Sequence, residues 1–139
     1  MSVTLSDDVK RLLDAPNFAA LSTLMEDGAP KVEPIWIERE GDRIVITTDR
    51  KSIKAINIDR DPRVALSITD YANPYEQVLI RGQVVETRGD DSLEVLDRVS
   101  QKYTGAPFPR RRWSTRVVYF IEPTLARYYK LPMTHVPTS

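Results

Sequence analysis

Two spacings of apolar residues divide the chain into helices and strands. Val9, Leu12 and Leu13 fall on one helical face behind Ser6-Asp7-Asp8, an N-cap followed by acidic first-turn residues. Pro16 follows the end of that helix. Phe18 to Met25 reads as a buried strand, Glu26-Asp27-Gly28 as a hairpin turn, and Lys31 to Glu38 as the return strand. Pro34 cannot donate to a ladder, which predicts an edge or a bulge there. Gly41-Asp42 turns the chain into a β-branched strand, Arg43 to Thr48. A short helix, Ser52 to Asp59, follows and is stopped by Asp61-Pro62.

Arg63 to Thr69 alternates as a fourth strand, and Asp70 to Pro74 is rich in turn residues. Glu76 to Arg88 reads as a long strand with Gly82 as a bulge or barrel corner. Asp90-Asp91-Ser92 caps a longer helix whose core face carries Leu93, Leu96, Val99 and Tyr103. Thr104 to Pro109 is a loop. Thr115 to Ile121 and Leu125 to Tyr129 close the series, divided by Glu122-Pro123, and the tail from Pro132 reads as loose. Six or seven strands, hairpin-linked at the start, with three helices predict a small antiparallel barrel with helices on its outside.

Composition changes this picture little. The 139 residues fit one domain, 1–139, and neither a repeat nor a linker interrupts them. Twenty basic and 20 acidic residues give a formal net charge of zero, so no global field draws the chain to nucleic acid or an anionic membrane. The absence of cysteine rules out disulfides, thiol catalysis and Cys-ligated metals, and no metal site is expected. No apolar run has the length of a membrane span, and Met1 to Asp14 lacks the features of a signal peptide. A soluble, cytoplasmic protein is the expectation.

Charge is informative locally. Strand Arg43–Thr48 runs through Asp49-Arg50-Lys51 into the helix that opens at Ser52. Arg50, Lys51 and Lys54 therefore crowd a helix start, where cations are normally disfavoured. Unpaired N–H groups, a hydroxyl and three cations there make a site for a phosphate. The same turn also reads as a solvated basic loop that binds nothing.

The order and spacing of four motifs add to this. They are Phe18-Ala19-Ala20-Leu21-Ser22-Thr23-Leu24, the Gly28-Ala29-Pro30 turn, Thr47-Thr48 followed by Lys54-Ala55-Ile56-Asn57, and Asp59-Arg60-Asp61-Pro62-Arg63-Val64. From Leu5 to Thr87 the chain resembles the flavin-binding split-barrel family of pyridoxamine 5′-phosphate oxidase and its relatives, and within it the actinobacterial branch that uses the deazaflavin coenzyme F420.

The resemblance implies a mainly β (α+β) split barrel with flanking helices, and a homodimer with two cofactor sites at the subunit interface. It implies that Lys54 is the principal phosphate ligand, with Ser52 and the Thr47-Thr48 strand end beside it and Arg50 and Lys51 as further cations. Many relatives carry an arginine two positions before the lysine, where this chain has Ser52. Asn57 is expected to fix the helix rather than touch ligand. Tyr75-Glu76-Gln77 match a segment near the cofactor in relatives, with Tyr75 covering an aromatic ring system or packing at the barrel rim. Trp36 either flanks the ring or substrate or packs as an ordinary core indole.

The implied activity is hydride transfer between F420 and a small conjugated, quinone-like or tetrapyrrole substrate. The alternatives are an FMN enzyme of the same fold and a non-catalytic carrier of flavin or haem. Hydride transfer needs little from side chains, because the cofactor carries the reactive chemistry. That fits a chain without a recognisable His/Cys pair, HExxH or Ser–His–Asp arrangement; no catalytic residue is assigned. His135 reads as a surface residue of the tail. Pro109-Arg110-Arg111-Arg112-Trp113-Ser114-Thr115-Arg116 is a second basic cluster. It suits the glutamate tail that F420 carries beyond its phosphate and FMN lacks, or is a solvated loop. Arginine beside an aromatic also suits a nucleic-acid strand, but zero net charge, one short run and no recognised motif oppose that reading.

Overall fold

The computed structural model describes residues 3–136. Helix α1 (Asp7–Asp14) starts at Ser6, whose Oγ accepts from the Val9 amide at 3.3 Å, and it buries Val9, Leu12 and Leu13. Strands β1 (Ala19–Leu24) and β2 (Pro30–Ile35) form the first hairpin. Next come β3 (Glu38–Glu40), β4 (Arg43–Asp49), α2 (Ile53–Arg60), β5 (Arg63–Thr69), β6 (Glu76–Gly89), α3 (Glu94–Thr104) and β7 (Arg116–Lys130). The Asp90 carboxylate begins α3 by accepting from the Val95 and Leu96 amides at 3.1 and 3.0 Å.

All seven strands lie in one antiparallel sheet, in the order β2-β1-β5-β6-β7-β4-β3. Its two edge strands, β2 and β3, are consecutive in the chain, with only Trp36 and Ile37 between them. Three Cα steps reach at most about 11 Å, so the sheet must roll until its edges meet. No ladder joins β2 to β3, and the result is a split barrel. The core gathers inward residues of β1, β4, β5, β6 and β7 with Leu5 and the buried face of α1, which packs across β3, β5, β6 and β7.

Most boundaries shift by a residue from the sequence reading and two stretches are divided differently, though the number of strands agrees. The stretch 31–38 breaks at Trp36-Ile37, where the chain leaves one sheet edge for the other. Thr115–Ile121 and Leu125–Tyr129 form one strand. Pro123 sits at a register shift opposite Gly82, where a ladder donor is not needed. A Cβ on Gly82 would stand 2.5 Å from the Glu122 carbonyl oxygen, so only glycine permits this approach. Pro34 lies in edge strand β2 as expected, and residues 132–136 are irregular and exposed.

Candidate functional site

The basic turn is built by local hydrogen bonds. Ser52 is the N-cap of α2: its Oγ accepts from the Ala55 amide at 3.2 Å and lies 3.0 Å from Thr48 Oγ1. Its hydroxyl thus couples the helix start to Thr48. Asn57 is buried and donates to Thr23 Oγ1 at 3.1 Å, pinning α2 to β1 and staying away from the pocket, as anticipated. Asp49, the last residue of β4, accepts from the Lys51 amide, the Trp113 indole at 2.6 Å and Thr115 Oγ1 at 3.0 Å. The Lys51 amide and then the indole hold its carboxyl down at about 2.

Antiparallel pairing of β4 with β7 sets Asp49 opposite Arg116. Arg116 is buried, at 6 % exposure, and forms no ion pair among the described residues. One terminal nitrogen donates to Thr47 Oγ1 at 2.8 Å, and the guanidinium lies 4.5 Å from the centre of the Trp113 ring. Its Nε is a buried nitrogen without a hydrogen-bond partner, unique among the side chains of the described residues. Burial pushes the guanidinium below its ordinary range, and Asp90 and Asp49 pull the other way. A buried cation without a contacting carboxylate is costly.

Arg116 forms part of the wall of a pocket of about 180 Å³. Thr47, Thr48 and Lys54 supply the rest of its polar side, and Ile35, Trp36, Leu96 and Phe108 its apolar side. Lys54 Nζ lies 3.4 Å from Glu33 on β2. Two hydroxyls and two cations beside a half-buried aromatic wall fit a ligand that carries both an anion and a ring. Trp36 is held there by a parallel stack on Tyr103, with ring centres 5.2 Å apart.

Other expected residues fall elsewhere. Arg50 is exposed. Lys51 faces a separate groove of about 480 Å³ shared with Arg110, Arg111, Arg112 and Trp113. Arg110 stacks over Trp113 at 4.0 Å, so one indole lies against both Arg110 and Arg116 and joins groove to pocket. Arg111 is committed to Asp97 through two 2.8 Å contacts. Tyr75, Glu76 and Gln77 are not brought to the pocket in this chain. Glu76 pairs with Lys130 at one end of β7 and Thr48 with Val117 at the other, roughly 40 Å apart along the strand. Glu76 accepts from Arg11 at 2.8 Å and from the Tyr128 hydroxyl. His135 is exposed, with its ring edge-on to Tyr75 at 6.4 Å between centres.

Sequence reasoning passed over Glu33 and placed Arg116 only in the basic run. The available signal for Arg116 was a charged residue opening the apolar run Val117–Ile121.

A rolled antiparallel sheet with a polar-and-aromatic pocket at the end of β4 fits the split-barrel class of flavin-binding oxidoreductases. The chain belongs to the pyridoxamine 5′-phosphate oxidase family, whose model matches residues 5–130. Among solved structures it is similar to an F420 reductase at 28 % identity and TM-score 0.82, over 88 % of this chain and 98 % of that one. It also resembles the conserved hypothetical protein Rv2991 from Mycobacterium tuberculosis (24 % identity, TM-score 0.72, 99 % and 95 % of the two chains). A putative pyridoxamine 5′-phosphate oxidase from Listeria innocua is similar at 17 % identity and TM-score 0.68, over 88 % and 95 %. The last two likenesses concern the fold alone. No curated protein matches the chain. Among the described residues no helix is long and apolar enough to cross a membrane.

Proposed function

We propose that the chain is an F420-dependent reductase that works as a homodimer and moves a hydride between the deazaflavin and a small conjugated, quinone-like or tetrapyrrole acceptor. The observation that carries this reading is the buried, unpaired Arg116 beside Lys54, Thr47 and Thr48 in one pocket. A phosphate there would relieve the uncompensated guanidinium with charge-assisted hydrogen bonds. The similarity to an F420 reductase supports the choice of cofactor class.

When bound, the deazaflavin supplies the hydride chemistry. Arg116 and Lys54 hold the phosphate, with the two threonine hydroxyls completing its surround. Trp36 and Phe108 keep water from the ring side of the pocket. Lys51, Arg110 and Arg112 line the adjoining groove and accept the carboxylates of the tail. An FMN enzyme would use the same phosphate pocket and have no use for this groove. The groove is what favours the longer coenzyme.

The second copy has a surface to occupy. The outer face of β1, β2, β5, β6 and β7 forms a concavity of about 380 Å³ that includes Val32, Leu79, Leu125 and Tyr129. Val32 and Tyr129 are 67 % and 41 % exposed, and Tyr129 pairs with Gln77. Burying this face against another copy removes the apolar patch and offers Tyr75-Glu76-Gln77 a place at the partner's pocket.

Fluorescence titration with F420 and FMN side by side, with sedimentation to read the assembly, tests the proposal. Tighter binding of F420 by a dimer is expected. A monomer that binds neither cofactor would refute it.

A further inference from the structure

Glu33 stands on the face of β2 that also carries Lys31 and Ile35, and Ile35 is part of the pocket wall. Its Oε1 accepts from Lys31 at 2.7 Å and its Oε2 lies 3.4 Å from Lys54 Nζ. Burial works against the charge of this carboxyl, but Lys31 and Lys54 together hold it below the usual glutamate range. A fixed negative charge therefore sits against Lys54 of the pocket wall and uses part of the attraction of that lysine.

This arrangement makes the pocket sensitive to how much charge a phosphate brings. A phosphate monoester carries about −1.5 to −2 at neutral pH, whereas a diester carries a single negative charge. Arg116 and Lys54 are the cations of the pocket wall. Lys31 offsets part of the Glu33 charge, and the remainder opposes Lys54, so each further negative charge on a phosphate gains less there than it would without Glu33. The phosphate of F420 is esterified on both sides, between the ring-bearing chain and the tail; that of FMN ends its chain.

We propose that Glu33 is a specificity-determining residue: its carboxylate beside Lys54 favours a phosphodiester over a phosphate monoester, and so F420 over FMN. This rests on the assignment of the pocket to the cofactor phosphate made above.

The test compares the dissociation constants of FMN, F420 and riboflavin for the wild-type chain, Glu33→Gln and Lys54→Ala, with thermal melts to verify folding. Glu33→Gln keeps the shape and removes the charge. It should tighten FMN about two- to fivefold, the scale of a partly exposed charge pair. In free energy F420 should change by about half to two thirds as much, in the ratio of the phosphate charges, and riboflavin, which has no phosphate, not at all. Equal gains for FMN and F420, a gain for riboflavin, or no gain for FMN overturns the proposal. If the wild-type chain binds FMN too weakly for direct titration, displacement of bound F420 by FMN reads the same ratio for both chains. Lys54→Ala separates the two levels of the argument. If it leaves both cofactors unchanged, the phosphate is not held here and the pocket assignment falls too. If it weakens both while Glu33→Gln gives FMN nothing, only the role of Glu33 falls.

Discussion

Replacing Arg116 by methionine should separate binding from folding, because the residue stabilises little of the fold for the desolvation it costs. The substitution removes a 2.8 Å hydrogen bond to Thr47 and the stack on Trp113. A hydrogen bond from a charged group contributes about 1.5–3 kcal/mol, and a cation–π contact about 0.5–2 kcal/mol. Against these stands the cost of holding a guanidinium at 6 % exposure with one nitrogen unpartnered, several kcal/mol for a buried ion. The two sides nearly cancel, and the apolar isostere should fold with a stability within about 2 kcal/mol of wild type.

The effect on the cofactor has no such cancellation. Losing one charge-assisted phosphate contact of about 1.5–3 kcal/mol weakens binding roughly 10- to 150-fold. Thermal melts and fluorescence titration with F420 on the same samples read both quantities. A melting temperature lowered by more than about 8 °C, with cofactor affinity intact, would show that Arg116 is a structural residue and refute the reasoning.

Arg110→Ala with Arg112→Ala should weaken F420 more than FMN, since both side chains line the groove beyond the phosphate pocket; equal losses in parallel titrations would reject a tail site there. Gly82→Ala should destabilise the barrel by about 1–3 kcal/mol or more, because its Cβ would stand 2.5 Å from a backbone oxygen; a melting temperature equal to wild type would contradict this. Burial lowers Lys102 to about 8, with Asp14 and Glu38 opposing, while its Nζ donates to the Leu13 and Ile37 carbonyls. A lysine in the unfolded chain titrates near 10.5. Between these values the unfolded chain keeps a proton that the folded chain has lost, so stability rises with pH across that window; below about 8 both forms are charged and the penalty is complete. The difference in melting temperature between wild type and Lys102→Met should accordingly move in favour of wild type from pH 8 toward pH 10, and a constant difference would refute the assignment.

Much of the local structure was legible in the residues alone. Ser6 and Ser52 cap the helices they precede, because capping needs only a hydroxyl and an amide three residues on. Gly82 marked a corner and Pro34 an edge, since each limits its own backbone. The four family motifs and the basic turn were also readable in order. The pocket was not. Arg116 meets Thr47, and Lys54 meets Glu33, through contacts 69 and 21 residues apart in the chain. The pairing of β4 with β7 decides the first, and the docking of α2 beside the β1–β2 hairpin decides the second. Ser52 looked like a ligand; it is bonded to the Ala55 amide and to Thr48 and is not part of the pocket wall. Apolar periodicity determines which stretches become strands and which face they bury. Strand order and register depend on how all the buried faces close around one core, and that closure decided which charges share a pocket.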